Sequence, residues 1–320
     1  IRKMGIKVMM GQRAENIEGA EMVVYSAAIS KENPELKAAL ESGIPTFQRA
    51  ELLGEVSRQF SNCIGICGTH GKTTTTSMFS SVLLAADTDP TISVGGILEA
   101  IGGNIRVGKS ETFITEACEY TNSFLSFYPT LSIILNIEED HMDFFKDLDD
   151  IMNSFRLFAK RLPKDGCLII NKEIKDYEKV TKGLECKVIT YGMDPSCTYH
   201  AENITFNEQG YGEFDVMHHS VSLGHIVLSV PGQHNVSNAL AVIAAARKLG
   251  ISMEQIQAGL LGFSGANRRF QYKGSLNGVT IIDDYAHHPT EIRTTLEAAK
   301  NYPHKDIWCI FQPHTYTRTK

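Results

Sequence analysis

The run Gly65-Ile66-Cys67-Gly68-Thr69-His70-Gly71-Lys72-Thr73-Thr74 sets three glycines at a spacing of three ahead of Lys-Thr and a helical pattern. Glycines let backbone N–H groups approach an anion closely and turn with positive φ, and a following helix presents its unsatisfied amides and positive dipole end to that anion. The pattern is that of a phosphate-binding loop. Lys72 would sit over the β- and γ-phosphates, and the Thr73 hydroxyl would bind Mg²⁺. The usual G-x-x-x-x-G-K-[ST] spacing wants glycine where Ile66 stands, and Gly65 falls one place early, so the loop is a variant. As a loop residue, Lys72 is expected to be removable without loss of the fold.

Further chemistry-bearing residues follow in separate clusters. Glu116 and Glu119 lie at the end of an apolar run, where open α/β sheets place ligands, and a carboxylate there could hold the Mg²⁺ that Thr73 touches. They could equally be a solvated loop pair. His141, within Asn136-Ile137-Glu138-Glu139-Asp140-His141-Met142-Asp143, suits a metal ligand oriented by its acidic neighbours, or is one histidine on an acidic surface loop. Asn235 and Asn238, in Gly232-Gln233-His234-Asn235-Val236-Ser237-Asn238, share a helix face and carry the donor and acceptor that adenine needs, although Asn235 alone would read as a helix cap. Arg268-Arg269-Phe270 places guanidinium groups after a linker candidate at 263–267, where one could clamp a γ-phosphate across a cleft. Asp283-Asp284-Tyr285-Ala286-His287-His288-Pro289 could present polar groups to the same cleft or, as the weaker option, bind a metal. Gln312-Pro313-His314-Thr315-Tyr316-Thr317-Arg318 is a second polar strand end.

The elements that must carry these residues alternate in type. Short strands are expected at 8–10 and 22–26, with a helix over 33–42. The run 62–66 reads as a buried strand ahead of a helix over 73–86, on which Met78, Phe79, Val82 and Leu83 share a face. Apolar runs at 113–116, 131–136, 168–171 and 188–191, with a helix near 149–161, imply a mostly parallel sheet covered on both faces. Residues 199–230 read as antiparallel hairpins at the sheet edge, followed by helices over 235–249 and 253–261. A third α/β unit opens with a strand at 279–283, a helix near 290–301 and a strand at 307–311.

The 320 residues, 42% hydrophobic and 21% charged, describe an ordinary globular chain long enough for two or more domains. No apolar run approaches a membrane span, and no signal peptide is evident. A net charge of −6 without a basic, aromatic-laced stripe argues against nucleic acid as the main partner. Seven scattered cysteines argue against a disulfide framework and fit a reducing, cytoplasmic setting.

GTHGKTT, EACEY, NIEEDHMD, GQHNVSN, RRF, DDYAHHPTE and FQPHTYTRT occur here in the order and approximate spacing of the Mur ligase family, and the chain resembles that family over essentially its whole length. The resemblance implies a central P-loop-type ATP-binding domain at 59–264 between partial Rossmann-like units. One would be the end of a UDP-binding domain at 1–58, and the other the start of a C-terminal domain at 265–320, so both ends of the chain are expected to fall inside domains. It implies ATP-dependent, ADP-forming joining of L-alanine to the lactoyl carboxylate of UDP-N-acetylmuramate through an acyl phosphate, in peptidoglycan precursor synthesis. A tripeptide-adding ligase of cell-wall recycling is the alternative. By the same resemblance Gly68, Thr69, His70, Gly71, Lys72, Thr73 and Thr74 hold ATP, and Thr73, Glu116 and His141 hold Mg²⁺. His234, Asn235 and Asn238 would contact adenine, Arg269 the phosphates, and Asp284 the ribose. Ser26-Ala27-Ala28-Ile29 resembles the segment near the UDP-sugar.

Overall fold

Short apolar runs interleaved with amphipathic helices give three sheets in the computed structural model, which describes residues 2–313. The first is small. β1 (Val23–Tyr25) pairs in parallel with β2 (Thr46–Gln48), joined through α1 (Pro34–Ser42) and followed by α2 (Arg49–Ser57). Asn33 caps α1, its side chain accepting from Glu35 N and Leu36 N, and Gly43 ends it at φ 74°. The strand expected at 8–10 does not form: Val8, Met9 and Met10 are exposed, and among the described residues no segment pairs with them. An apolar run without a partner strand leaves its backbone to water.

The second sheet carries the site. Its strands are β3 (Asn62–Cys67), β4 (Thr91–Leu98), β5 (Gly103–Arg106), β6 (Thr112–Glu116), β7 (Leu131–Ile134), β8 (Cys167–Asn171), β9 (Lys187–Gly192), β10 (Tyr199–Phe206), β11 (Tyr211–His218) and β12 (Val221–Pro231). They lie side by side in the order β12-β11-β10-β9-β8-β7-β3-β6-β4-β5. Neighbours from β10 through β4 run parallel, and β11, β12 and β5 are antiparallel additions at the two edges. The expected edge hairpins over 199–230 are therefore present, whereas β4 and β5 were not foreseen.

Two helical layers cover this sheet. In β3 the side chains alternate, Ile64 and Ile66 toward one face, Cys63 and Cys67 toward the other. On the first face lie α3 (Lys72–Ala85), through Met78, Phe79, Val82 and Leu83, and the alanine-rich α6 (Gln233–Lys248), with α7 (Met253–Leu261) against both. On the second lie α4 (Leu148–Ala159), through Ile151, Phe155 and Phe158, and the short α5 (Glu178–Thr181). A Cβ on Gly65 would meet the Phe158 ring at 3.2 Å. The early glycine of the variant loop thus belongs to the sheet packing.

The third sheet pairs β13 (Gln271–Leu276) with β14 (Val279–Asp283) antiparallel, ahead of α8 (Pro289–Lys300). The strand expected at 307–311 is irregular, with Trp308 and Ile310 almost wholly exposed. No described segment runs beside it, so its apolar residues gain nothing from an extended conformation. His314, Thr315, Tyr316, Thr317 and Arg318 lie outside the described residues.

Candidate active site

The chain leaves β3 for β4 on one side of it, returns to β6, then crosses to β7 on the other side and continues through β8 and β9. The growth of the sheet reverses at β3, which makes the β3/β7 boundary a topological switch point with a crevice at the strands' carboxyl ends. The register sets Ile66 beside Glu116 and Cys67 beside Ile134, so the loops after β3, β6 and β7 emerge together.

The first loop turns at Gly68 (φ 144°) and Gly71 (φ 83°), conformations that favour glycine. Gly71 is the N-cap of α3 and among the described residues no side chain caps that end, so the first-turn amides of Lys72, Thr73 and Thr74 are left for an anion. Asn136, just past β7, braces the loop by accepting from His70 N (2.7 Å) and donating to His70 O (3.1 Å). Thr69 Oγ1 accepts from Glu138 N at 2.9 Å.

Lys72 Nζ donates to both carboxylate oxygens of Glu119 at 3.0 Å, and to the carbonyls of Gly68 (2.5 Å) and Thr69 (3.1 Å). Burial alone would lower its pKa, but Glu119, Cys118 and Glu116 together outweigh burial and hold the ammonium above its ordinary range. Glu119 is itself buried, and His141 Nε2 lies 4.0 Å from its Oε1 and 3.8 Å from Asp140. The His141 ring stacks on Tyr120 with centroids 4.4 Å apart, and its backbone is left-handed at φ 55°. A non-glycine residue held there is over-determined by its surroundings, as is common at functional sites. Thr73 Oγ1 donates to Glu116 Oε2 at 3.1 Å, and Gly95 N donates to Glu116 Oε1 at 2.5 Å. Hydroxyl and carboxylate oxygens side by side are a donor set for a hard cation such as Mg²⁺.

A cleft open to solvent adjoins this cluster. Of the residues singled out in the sequence, His70, Gly71, Thr74, His234, Asn235, Asn238, Arg269 and Asp284 line it, whereas Lys72, Thr73, Glu116 and His141 do not. Asn235 does not cap α6: it is the third residue of that helix and donates to Pro231 O at 2.8 Å, while accepting from Asn238 at 3.1 Å. Burial pushes the His234 imidazole down to about 4, so it is neutral. Arg269 lies over the Tyr285 ring at 5.3 Å, and Asp284 accepts from Phe270 N and Ala286 N, each at 2.7 Å. Burial raises the Asp284 carboxyl in spite of those bonds. Ser26 to Ile29 form a turn after β1, with Ile29 N bonded to Ser26 O at 3.0 Å, and do not line the cleft.

Residues 1–61, 66–246 and 268–320 match, in turn, the profiles of the Mur ligase family catalytic domain, the Mur ligase middle domain and the Mur ligase glutamate ligase domain. The chain belongs to the Mur ligase family. Among curated Mur ligases it is 57% identical over 318 residues to the UDP-N-acetylmuramate–L-alanine ligase of Lachnospira eligens, covering 99% of this chain and 69% of that protein. It is 59% identical over 317 residues to the enzyme of that name from Agathobacter rectalis, again 99% and 69% of the two chains. The crystal structure of UDP-N-acetylmuramate-alanine ligase MurC from Thermotoga maritima superposes with a TM-score of 0.82 at 30% identity, over 94% of this chain and 68% of that one. The murein peptide ligase Mpl of Psychrobacter arcticus gives 0.78 at 27%, over 93% and 67%. The Mur ligase fold, α/β with a large mostly parallel central sheet, is therefore the fold of this chain.

Several contacts went unread in the sequence. Glu119 was seen beside Glu116 but not as the partner of Lys72; EACEY, with its second glutamate three residues on, was the available signal. Asn136 and Glu138 stood in the motif that drew attention to His141. Gly95 lies on the unforeseen β4, and Glu291, the capping-box glutamate of α8, closes the DDYAHHPTE motif, which was the available signal for it.

Proposed function

We propose that this chain carries the ATP-dependent joining of L-alanine to the lactoyl carboxylate of UDP-N-acetylmuramate, releasing ADP and phosphate, as a cytoplasmic step of peptidoglycan precursor synthesis. The observation that carries the reading is the pairing of an uncapped α3 N-terminus with the Lys72–Glu119 and Thr73–Glu116 pairs, beside a cleft lined by His234, Asn235, Asn238, Arg269 and Asp284. The names of the curated relatives at 57% and 59% identity support the same substrates. The domain division of the proposal is 1–58, 59–264 and 265–320.

A carboxylate is a poor electrophile at neutral pH, so amide formation needs an activated acyl group. ATP supplies it by phosphorylating the lactoyl carboxylate, and the amine of L-alanine then attacks the acyl phosphate. Catalysis of phosphoryl transfer is mostly positioning and charge neutralisation. The α3 amides and Lys72 receive the phosphates, and Arg269 meets them from the third segment. Asn235, Asn238 and neutral His234 fix the base, and Asp284 accepts from the ribose. One Mg²⁺ held by Thr73 and Glu116 and a second held by His141 would supply further positive charge against the transferring phosphoryl group. The deciding experiment is ADP release with UDP-N-acetylmuramate, ATP and Mg²⁺, each amine supplied in turn. Release with L-alanine supports the proposal, release with a tripeptide alone reassigns the amine, and release with neither refutes it.

A further inference from the structure

His70 projects from the middle of the phosphate loop toward the N-terminal end of α8. Its Nδ1 lies 3.1 Å from Glu291 Oε1 on α8, and its Nε2 lies 3.7 Å from Glu138 Oε2 on the loop after β7. Glu138 in turn accepts from Thr290 Oγ1 at 2.7 Å, His288 Nε2 stands 3.2 Å from Glu139 O, and the rings of His70 and His288 are 4.4 Å apart. The N-terminal turn of α8 is thus fastened to the phosphate loop and to the loop after β7 through one imidazole and its two carboxylates. The His70 side chain is 12% exposed and that of Glu291 17%, so the contact is shielded from water and little screened by salt. Burial would push His70 down, but Glu138 and Glu291 outweigh it and hold the ring at about 9, charged at neutral pH.

His70, Glu138 and His288 also offer ligand atoms within 4.8 Å of one another. Their bonds favour a proton over a metal as the occupant. His288 Nδ1 accepts from Thr290 N at 3.3 Å and its Nε2 faces the Glu139 carbonyl at 3.2 Å, so that ring has no lone pair left for a metal.

We infer that His70 is a positioning residue that fastens α8 to the phosphate loop, so that closure of the cleft and the conformation of the loop form one coupled equilibrium. Glu291 and Thr290 line the same cleft as the adenine-side residues, so loosening this contact withdraws one wall of it. The coupling deepens the proposed function, and its kinetic consequence rests on that reading; its structural consequence does not.

The test is amide hydrogen exchange on the whole chain for His70→Asn, Glu291→Gln and the double variant. Glutamine keeps the α8 capping box, so loss of the helix itself does not confound the reading. Each single variant should speed exchange about tenfold or more both at 288–293 and at 70–74, segments far apart in sequence, and the double variant should add nothing to His70→Asn, which already removes both carboxylate contacts. In parallel, ADP release should fall by the same factor in both single variants. Exchange confined to the mutated segment, or additive effects in the double variant, would overturn the inference. If His70→Asn fails to fold, Glu291→Gln alone decides, through the exchange of 70–74. If the parent releases no ADP, the ligase reading fails while the exchange outcome still stands or falls by itself.

Discussion

Lys72→Ala should unfold the central sheet more readily, as well as stop ADP release. The sequence placed Lys72 on a loop and made it dispensable to the fold; instead it opens α3, its side chain 16% exposed, and faces a Glu119 side chain only 3% exposed. At 3.0 Å the pair interacts by about 5 kcal/mol for an effective dielectric of about 20, much of which offsets desolvation of the two groups. Removing one partner keeps the desolvation and discards the attraction, a loss of about 3–5 kcal/mol. Removing both charges should be far milder, so Lys72→Ala/Glu119→Gln should recover most of that loss while remaining inactive. Urea denaturation followed by far-UV circular dichroism measures it. Tryptophan fluorescence would not, because the single tryptophan, Trp308, is 91% exposed and far along the chain from the pair. A Lys72→Ala protein within about 1 kcal/mol of the parent, or a double variant no more stable than the single one, would refute the buried-pair argument.

Glu116→Gln keeps size but weakens a hard-cation ligand, so the Mg²⁺ concentration for half-maximal ADP release should rise at least tenfold; an unchanged dependence would make Glu116 a structural acceptor for Thr73 and Gly95. Asn235→Ala leaves Pro231 O and the Asn238 amide without their partner and should cost about 1–3 kcal/mol while raising KM for ATP, read by denaturation and initial rates. For His70, faced by Glu138, Glu291 and His288, the folded pKa of about 9 lies above the ordinary value of 6.5. Its stabilisation, at most about 3 kcal/mol, is therefore complete below pH 6.5 and lost as pH rises through 9, and the parent should fall toward the His70→Asn variant in melting scans over that window, two parallel curves being the contrary result.

The site was legible where chemistry follows directly on a strand. The loops after β3, β6 and β7 each announce themselves by an apolar run ending in glycine, glutamate or asparagine, and parallel pairing brings those ends together without further information. The fold was less legible where apolar runs and strands part company. β4 holds Gly95 and Gly96 in its middle, residues that weaken a strand signal, yet a Cβ at Gly95 would stand 2.9 Å from the Glu116 carboxylate, so the glycine serves the site. Residues 8–10 and 307–311 have strand-like composition and no partner among the described residues, and pairing is what a sequence does not display. Glu119 and Glu291 show the same limit for side chains, since burial and a cross-chain partner decide their roles while residue type shows only a charge.

The pairing of Lys72 with Glu119, and of Thr73 with Glu116, also bears on how ligands enter. A nucleotide that drew Lys72 onto its phosphates would leave the buried Glu119 carboxylate without that partner, a charge that favours a nearby cation. A cation bound beside Glu116 and Glu119 likewise cancels the negative field that a polyphosphate would otherwise meet. Under the proposed function each ligand would therefore raise the affinity for the other by the same factor, as linkage requires, and the loop would favour the magnesium complex of a nucleotide over the bare anion.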